Sequence, residues 1–173
     1  MNCKTAVVLA AGAGTRMRSE KPKVLHEVCG KPMVSHVTSQ AAEAGADNII
    51  VVIGHGADRV KNAIDDGKLK FAVQSEQLGT GHAVKQAMGD VPDEGGVFVL
   101  CGDTPLITAD TLKGFADFHE KSGNAVTVLT ALFDDPFGYG RIIRATDGSL
   151  LRIVEQKDAN DEEKAVKEVN AGM

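Results

Sequence analysis

The chain has 173 residues, 43% of them apolar, with a formal net charge of -5 and a pI near 5.5. That length supports one substantial core, expected as a single domain over residues 1–173, and the acidic balance excludes the broad cationic face that a nucleic-acid backbone demands. No apolar run approaches the roughly eighteen residues of a membrane span, and Cys3, Cys29 and Cys101 form no Cys-x-x-Cys pair, so neither a membrane protein, a disulfide framework nor a zinc site is indicated and a reducing cytoplasm is expected.

Thr5 to Ala10 reads as a buried strand that empties into Ala11-Gly12-Ala13-Gly14-Thr15-Arg16-Met17. Small residues there let backbone N–H groups approach an anion, and Arg16 and Lys23 supply cations, which together describe a phosphate site. A dinucleotide-binding turn would need a third small residue where Met17 stands and an acid at the tip of the next strand, where Gly54-His55-Gly56 follows Asn48–Ile53. A Walker loop would need Gly-Lys-Ser/Thr, and Gly14-Thr15-Arg16 does not supply it. A mononucleotide loop remains, beside the plainer reading of a glycine-rich βα connection with surface cations.

Met33, Val34, Val37, Ala41 and Ala44 recur at helical spacing until Gly45. Asn48–Ile53 is the next strand, 57–65 a short helix, 71–73 a third strand, and Thr80 opens a helix carrying Ala83, Val84, Ala87 and Met88 on one face. The uniformly apolar run 97–101 has the character of a central parallel strand, and Thr108 caps a helix predicted to reach Phe118. A strand is predicted over 125–132. Then the pattern changes: 142–144 and 150–154 flank Asp147-Gly148, a hairpin signal that predicts an antiparallel region. The charged stretch 158–164 reads as a solvated helix or loop, and 167–170 as a last strand, expected to leave an open sheet edge. The alternation predicts an α/β protein, mostly parallel with an antiparallel region near its end.

In open α/β sheets ligands gather at the carboxyl ends of strands. Gly12 and Gly14 lie there after the first strand, Gln74 after the third and Asp103 after the fourth. Asp103 reads either as a cap beside Thr104-Pro105 or as an oxygen ligand for a hard cation, magnesium being the natural choice. The Gln74 amide carries both a donor and an acceptor and can read a base edge, and Gly79 allows close approach. His82 stands just inside a helix start with no carboxylate partner and reads as structural, and the remaining histidines lack metal-ligand spacing.

Taken in order, Leu9 to Met17, Pro22-Lys23-Val24-Leu25-His26, Gly30-Lys31-Pro32-Met33, Gln77-Leu78-Gly79-Thr80-Gly81-His82-Ala83, Gly102-Asp103-Thr104-Pro105-Leu106, Gly138-Tyr139-Gly140-Arg141 and Glu155-Gln156-Lys157-Asp158-Ala159 resemble a known family. It is the uridyltransferase (pyrophosphorylase) domain of the bacterial bifunctional N-acetylglucosamine-1-phosphate uridyltransferase / glucosamine-1-phosphate acetyltransferase. The resemblance implies a Rossmann-like nucleotide-diphospho-sugar transferase fold and a magnesium-dependent reaction of UTP with N-acetylglucosamine-1-phosphate, giving UDP-N-acetylglucosamine and pyrophosphate for cell-wall precursor synthesis. It implies that Leu9, Ala10, Ala11, Gly12, Gly14 and Thr15 line the nucleotide and that Arg16 and Lys23 act on the phosphates. By the same resemblance Gln74, Gly79 and Thr80 hold the uracil side, the Gln74 amide pairing with O4 and N3–H provided that groups around Gly79 fix its orientation, Asp103 binds Mg2+ beside Cys101 and Gly102, and Gly140, Glu155 and Asn170 contact the N-acetylhexosamine. Cys101 replaces the family's Tyr, Ala171 replaces a Thr, and the family's second metal ligand, an Asn, would lie beyond Met173, as would the acetyltransferase domain through which the intact protein is expected to trimerise. Two alternatives stay open: a related sugar-1-phosphate nucleotidyltransferase with another base or sugar, and a non-catalytic nucleotide-sugar-binding module of the same fold.

Overall fold

A computed structural model describes residues 4–14 and 17–172, and the chain divides into two compact units, residues 1–123 and 124–173. The first is built on strands β1 (Thr5–Leu9), β4 (Asn48–Ile53), β5 (Lys70–Val73) and β6 (Val97–Cys101), all parallel and ordered β5-β4-β1-β6. The two central strands are the most continuously apolar, as burial on both faces requires: Val7, Val8, Ile50, Val51 and Val52 have no exposed surface. Val7 pairs with Ile50 on one side and Val99 on the other, so the tips of β1, β4 and β6 come into line.

Helix α1 (Met33–Glu43) buries Val34, Val37 and Ala41, the stripe its 3.6-residue spacing defines, and stops at Gly45, whose φ of 103° a side chain would resist. Helix α2 (Ala57–Ile64) follows β4, and α3 (Thr80–Ala87) lays Ala83 and Ala87 on a cluster with Val7, Ile50, Val52 and Ala72. Thr108 caps α4 (Ala109–Ser122) by accepting the Thr111 N–H at 3.2 Å. This helix runs past the predicted Phe118 to Gly123, whose left-handed backbone supplies the stop. A two-residue hairpin, β2 (Glu27–Val28) with β3 (Lys31–Pro32), was too short to leave a periodic signal. Among the described residues no helix is long and apolar enough to cross a membrane.

The second unit is an antiparallel sheet ordered β7-β10-β8-β9, from β7 (Thr130–Leu132), β8 (Arg141–Arg144), β9 (Leu150–Val154) and β10 (Glu168–Asn170). The predicted turn joins β8 to β9: Asp147 accepts hydrogen bonds from the Ser149 N–H and hydroxyl, which hold its carboxyl below the usual range. The predicted strand over 125–132 is reduced to its last three residues because β10 offers ladder partners only to Thr130, Ala131 and Leu132. The expectation of an open edge at the final strand is corrected, since β10 lies between β7 and β8 and the outer strands are β7 and β9. The charged stretch contains α5 (Asp161–Lys164), opened by a reciprocal capping box between Asn160 and Glu163. That backbone hydrogen bond, ahead of the Arg152 contact, holds the Glu163 carboxyl below its ordinary value.

Candidate functional site

The parallel strands β1, β5 and β6 end around a cavity of about 350 Å³ in the first unit. Leu9, Ala10, Ala11, Gly12 and Gly14 line it after β1, Gln74 after β5, Gly79 and Thr80 at the start of α3, and Cys101 and Asp103 at the tip of β6, with Lys23 among them. Backbone ties hold these ends in place: Gly102 N–H to the Leu9 carbonyl at 2.9 Å, His55 N–H to Ala11 at 3.2 Å, and Gln74 N–H to Ile53 at 2.8 Å. Gly102 also packs where no side chain fits, because an added Cβ would lie 2.9 Å from the Leu9 oxygen.

Lys23 reaches the cavity because a single 3-10 turn, Lys23–Leu25, buries Val24 and Leu25 and presses its Cβ against Gly14. Gly14 has φ of 60°, and a Cβ there would meet Lys23 Cβ at 2.7 Å, so both conformation and space demand glycine. The Lys23 ammonium donates to the Asp103 carboxylate across 80 positions of sequence. Each side chain keeps about a third of its surface exposed, at 34% and 31%, so both remain available to a ligand. Beside them the Cys101 thiol is pushed up by burial and then by the Asp103 charge, with Lys23 acting in the opposite sense.

Asp103 is a hard oxygen donor at a strand tip, and among the described residues no group of three His, Cys, Asp or Glu side chains forms a complete metal cage. One carboxylate without a cage suits a magnesium ion held largely by phosphates and water, and does not suit a zinc site or an all-protein calcium site. The residues present therefore fit magnesium, which Asp103 would ligate.

At the other end of the cavity Gln74 is 4% exposed, and its Nε2 donates to the Gly79 carbonyl at 3.1 Å. Gly79 stands at φ 99° as the residue before α3, a conformation open to glycine, and so turns its carbonyl back onto Gln74. Thr15 and Arg16 lie outside the described residues. Val24, Gln77 and Ala83 also line the cavity and escaped the sequence reading. Gln77 was legible as an amide within the glycine-flanked phrase, whereas Val24 and Ala83 read as ordinary core.

In the second unit the structure brings Gly140, Glu155 and Asn170 together. The Asn170 N–H donates to the Gly140 carbonyl at 2.9 Å, and a Cβ on Gly140 would lie 3.2 Å from Glu155 Oε1. Arg141, at 1% exposure, braces this corner by donating to the Tyr139 carbonyl and, at 2.6 Å, to Gln156 Oε1. Arginine at that position gave no sign in the sequence that it would be buried, because nothing local distinguishes it from a surface cation.

The sequence pattern of the MobA-like NTP transferase domain matches residues 6–165. The chain is 55% identical over 168 residues to the bifunctional protein GlmU of Caldanaerobacter subterraneus subsp. tengcongensis, covering 97% of the chain and 36% of that protein. It is 54% identical over 169 residues to the bifunctional protein GlmU of Staphylococcus epidermidis, covering 97% and 37%. The chain thus spans little more than a third of the length of these relatives. A Bacillus anthracis crystal structure bearing the name glucose-1-phosphate thymidylyltransferase, in complex with a sucrose, superposes with a TM-score of 0.82 at 19% identity, over 97% of this chain and 69% of that one. HddC from Yersinia pseudotuberculosis gives a TM-score of 0.67 at 24% identity, over 98% and 74%. At those identities the two structures establish the fold, a nucleotidyltransferase-like α/β arrangement.

Proposed function

The chain belongs to the family of MobA-like NTP transferase domains, and on that premise we propose that it transfers a uridylyl group from UTP to N-acetylglucosamine-1-phosphate, releasing pyrophosphate and forming UDP-N-acetylglucosamine. The observation that carries this reading is the polarity of one cavity: a glycine-lined charged end with Lys23 and Asp103, and an amide end with Gln74 and Gly79. A nucleoside triphosphate has the same two ends. Uridine and N-acetylglucosamine as the particular substrates follow from the resemblance of the sequence motifs, with which 54–55% identity to proteins named bifunctional GlmU agrees.

In the reaction a phosphate oxygen of the sugar-1-phosphate attacks the α-phosphorus of UTP in line. A new P–O bond forms as the bond to the β-phosphate oxygen breaks, and pyrophosphate leaves with that electron pair. The attacking oxygen is already anionic, so no covalent enzyme intermediate is needed, and positioning with charge neutralisation carries the step. Lys23, released from Asp103 by the stronger field of the triphosphate, stabilises charge on the departing pyrophosphate, and Arg16 serves the same phosphates. Asp103 would hold a magnesium ion, which when bound would supply further neutralisation of phosphate charge. Gly140, Glu155 and Asn170 hold the N-acetylhexosamine. The reading places the protein in the cytoplasm, in the supply of cell-wall precursors.

Calorimetric titration of this chain with UTP, CTP, ATP and GTP, with and without magnesium, tests the nucleotide assignment, and pyrophosphate release with N-acetylglucosamine-1-phosphate, by this chain and by one extended beyond Met173 through the family's second metal ligand, tests the reaction, the shorter chain being expected to turn over poorly or not at all. UTP should bind in preference to the other three, and Asp103→Ala should remove the magnesium-dependent part of pyrophosphate release while uridine nucleotide binding without metal persists. Equal binding of all four nucleotides, or wild-type turnover by Asp103→Ala at the same magnesium concentration, would overturn the assignment.

A further inference from the structure

Gln74 does not stand alone at the amide end of the cavity. Its Nε2 lies 3.1 Å from the Gly79 carbonyl and also 3.1 Å from His82 Nδ1, and His82 Nε2 lies 3.0 Å from the side-chain amide of Gln86. A carbonyl oxygen only accepts, so the Gln74 atom between Gly79 and His82 is the amide nitrogen. An attractive contact to His82 then requires Nδ1 to carry a lone pair and Nε2 the proton. A neutral imidazole cannot accept at both nitrogens, and Gln86, exposed on the surface of α3, turns its oxygen to the Nε2 proton at the cost of only a long 3.4 Å contact from its amide nitrogen to the His82 carbonyl. Both hydrogens of the Gln74 amide are thereby engaged within the protein, and its oxygen is the group left to offer the cavity.

We propose that His82 is a specificity-determining positioning residue: by accepting from Gln74 it locks that amide with the oxygen toward the base, so that the site selects a ring N–H donor, as in uracil, over the bare ring nitrogen of cytosine. The proposal rests on the uridine reading above. It also narrows the expectation that Gln74 pairs with both O4 and N3–H, because the nitrogen that would donate to O4 is already engaged. Donors for the uracil oxygens then come from the rest of the lining, where backbone N–H groups, the Thr80 hydroxyl and the Gln77 amide stand. The position of His82 accounts for the burial of a polar Gln74 at 4% exposure: a buried amide free to rotate would present donor and acceptor equally and discriminate little.

The experiment compares Kd for UTP and CTP, by calorimetry, in wild type, His82→Ala and His82→Asn. Wild type should prefer UTP. His82→Ala should shrink the preference, Kd for CTP over Kd for UTP, by roughly 3- to 10-fold, the worth of one neutral hydrogen bond. His82→Asn, whose Oδ1 falls near the place of Nδ1, should keep the ratio within about twofold of wild type by the same measure. Affinities that fall equally for both nucleotides in His82→Ala would assign His82 a merely structural role and overturn the proposal, as would an unchanged ratio. A wild-type chain that binds UTP and CTP alike would instead sink the base reading at Gln74, and the role of His82 with it. Independently of any variant, 15N NMR of the wild-type imidazole should show Nδ1 unprotonated, and an Nδ1–H tautomer would overturn the proposal.

Discussion

Replacing Gly54 with alanine adds one methyl group at the point where β4 hands over to the site. The new Cβ would lie 2.9 Å from each of Ala11 Cβ, the Gln74 carbonyl oxygen and Gln77 Nε2, about 0.5 Å inside ordinary contact. Gln77 can swing away, but Ala11 is tied by the His55 N–H and Gln74 by the Ile53 carbonyl, so two of the three neighbours can yield only by moving backbone. Overpacking of this kind costs typically about 1–3 kcal/mol, the burial of the methyl included. For a chain of this length that is a fall in Tm of roughly 2–12 °C. Because Ala11 and Gln74 both line the cavity, nucleotide affinity should fall as well, and more than the stability loss alone would explain. The control is Gly114→Ala, within α4, where an added Cβ meets nothing within 4 Å. It should stabilise by about 0.4–1 kcal/mol and leave binding unchanged. Thermal melts with and without UTP, alongside calorimetry, decide the matter, and a Gly54→Ala protein with wild-type Tm and affinity would refute the packing argument.

Lys23→Ala should reduce turnover by about a hundredfold while changing KM for N-acetylglucosamine-1-phosphate little, since its charge acts on the leaving pyrophosphate; an increase confined to that KM would place Lys23 on the wrong substrate. Peptide-resolved alkylation should find Cys101 slower than the exposed Cys29, because burial and Asp103 raise the thiol pKa and reduce the thiolate present at neutral pH. Lys23→Met should slow Cys101 further and Asp103→Asn should speed it, and the reverse order would contradict these causes. In the second unit Arg144 donates to Glu168 at 2.5 and 2.8 Å, and this contact, ahead of the Thr130 hydroxyl, holds the Glu168 carboxyl below its ordinary value. The resulting stability is fully present above the ordinary carboxylate pKa of about 4.3 and is lost as pH falls through the lowered folded value. Arg144→Met should therefore flatten the acid limb of a Tm-against-pH curve, and identical limbs in the two proteins would refute the linkage.

What the sequence determined by itself is whatever depends on near neighbours. Unbroken apolar runs at 48–53 and 97–101 are strands in the structure at those bounds, the spacing of Val34, Val37 and Ala41 is a buried helical face, and Asp147-Gly148 is a hairpin turn. The crowding of Gly12, Gly14, Gln74 and Asp103 at strand ends was legible for the same reason, because a parallel sheet sends all its carboxyl ends one way. Tertiary structure decided what depends on partners far along the chain. Only the folded chain joins Lys23 to Asp103, places β10 between β7 and β8 instead of at an edge, and buries Arg141 against the Tyr139 carbonyl and Gln156. His82 is the plainest case. Its spacing reads as structural, yet its ring nitrogen lies 3.1 Å from an amide eight residues away, which a glycine carbonyl also holds. Hydrophobic periodicity records which face of an element is buried, but hydrogen-bond partners are chosen by distance and angle between elements, and those quantities exist only once the elements have packed.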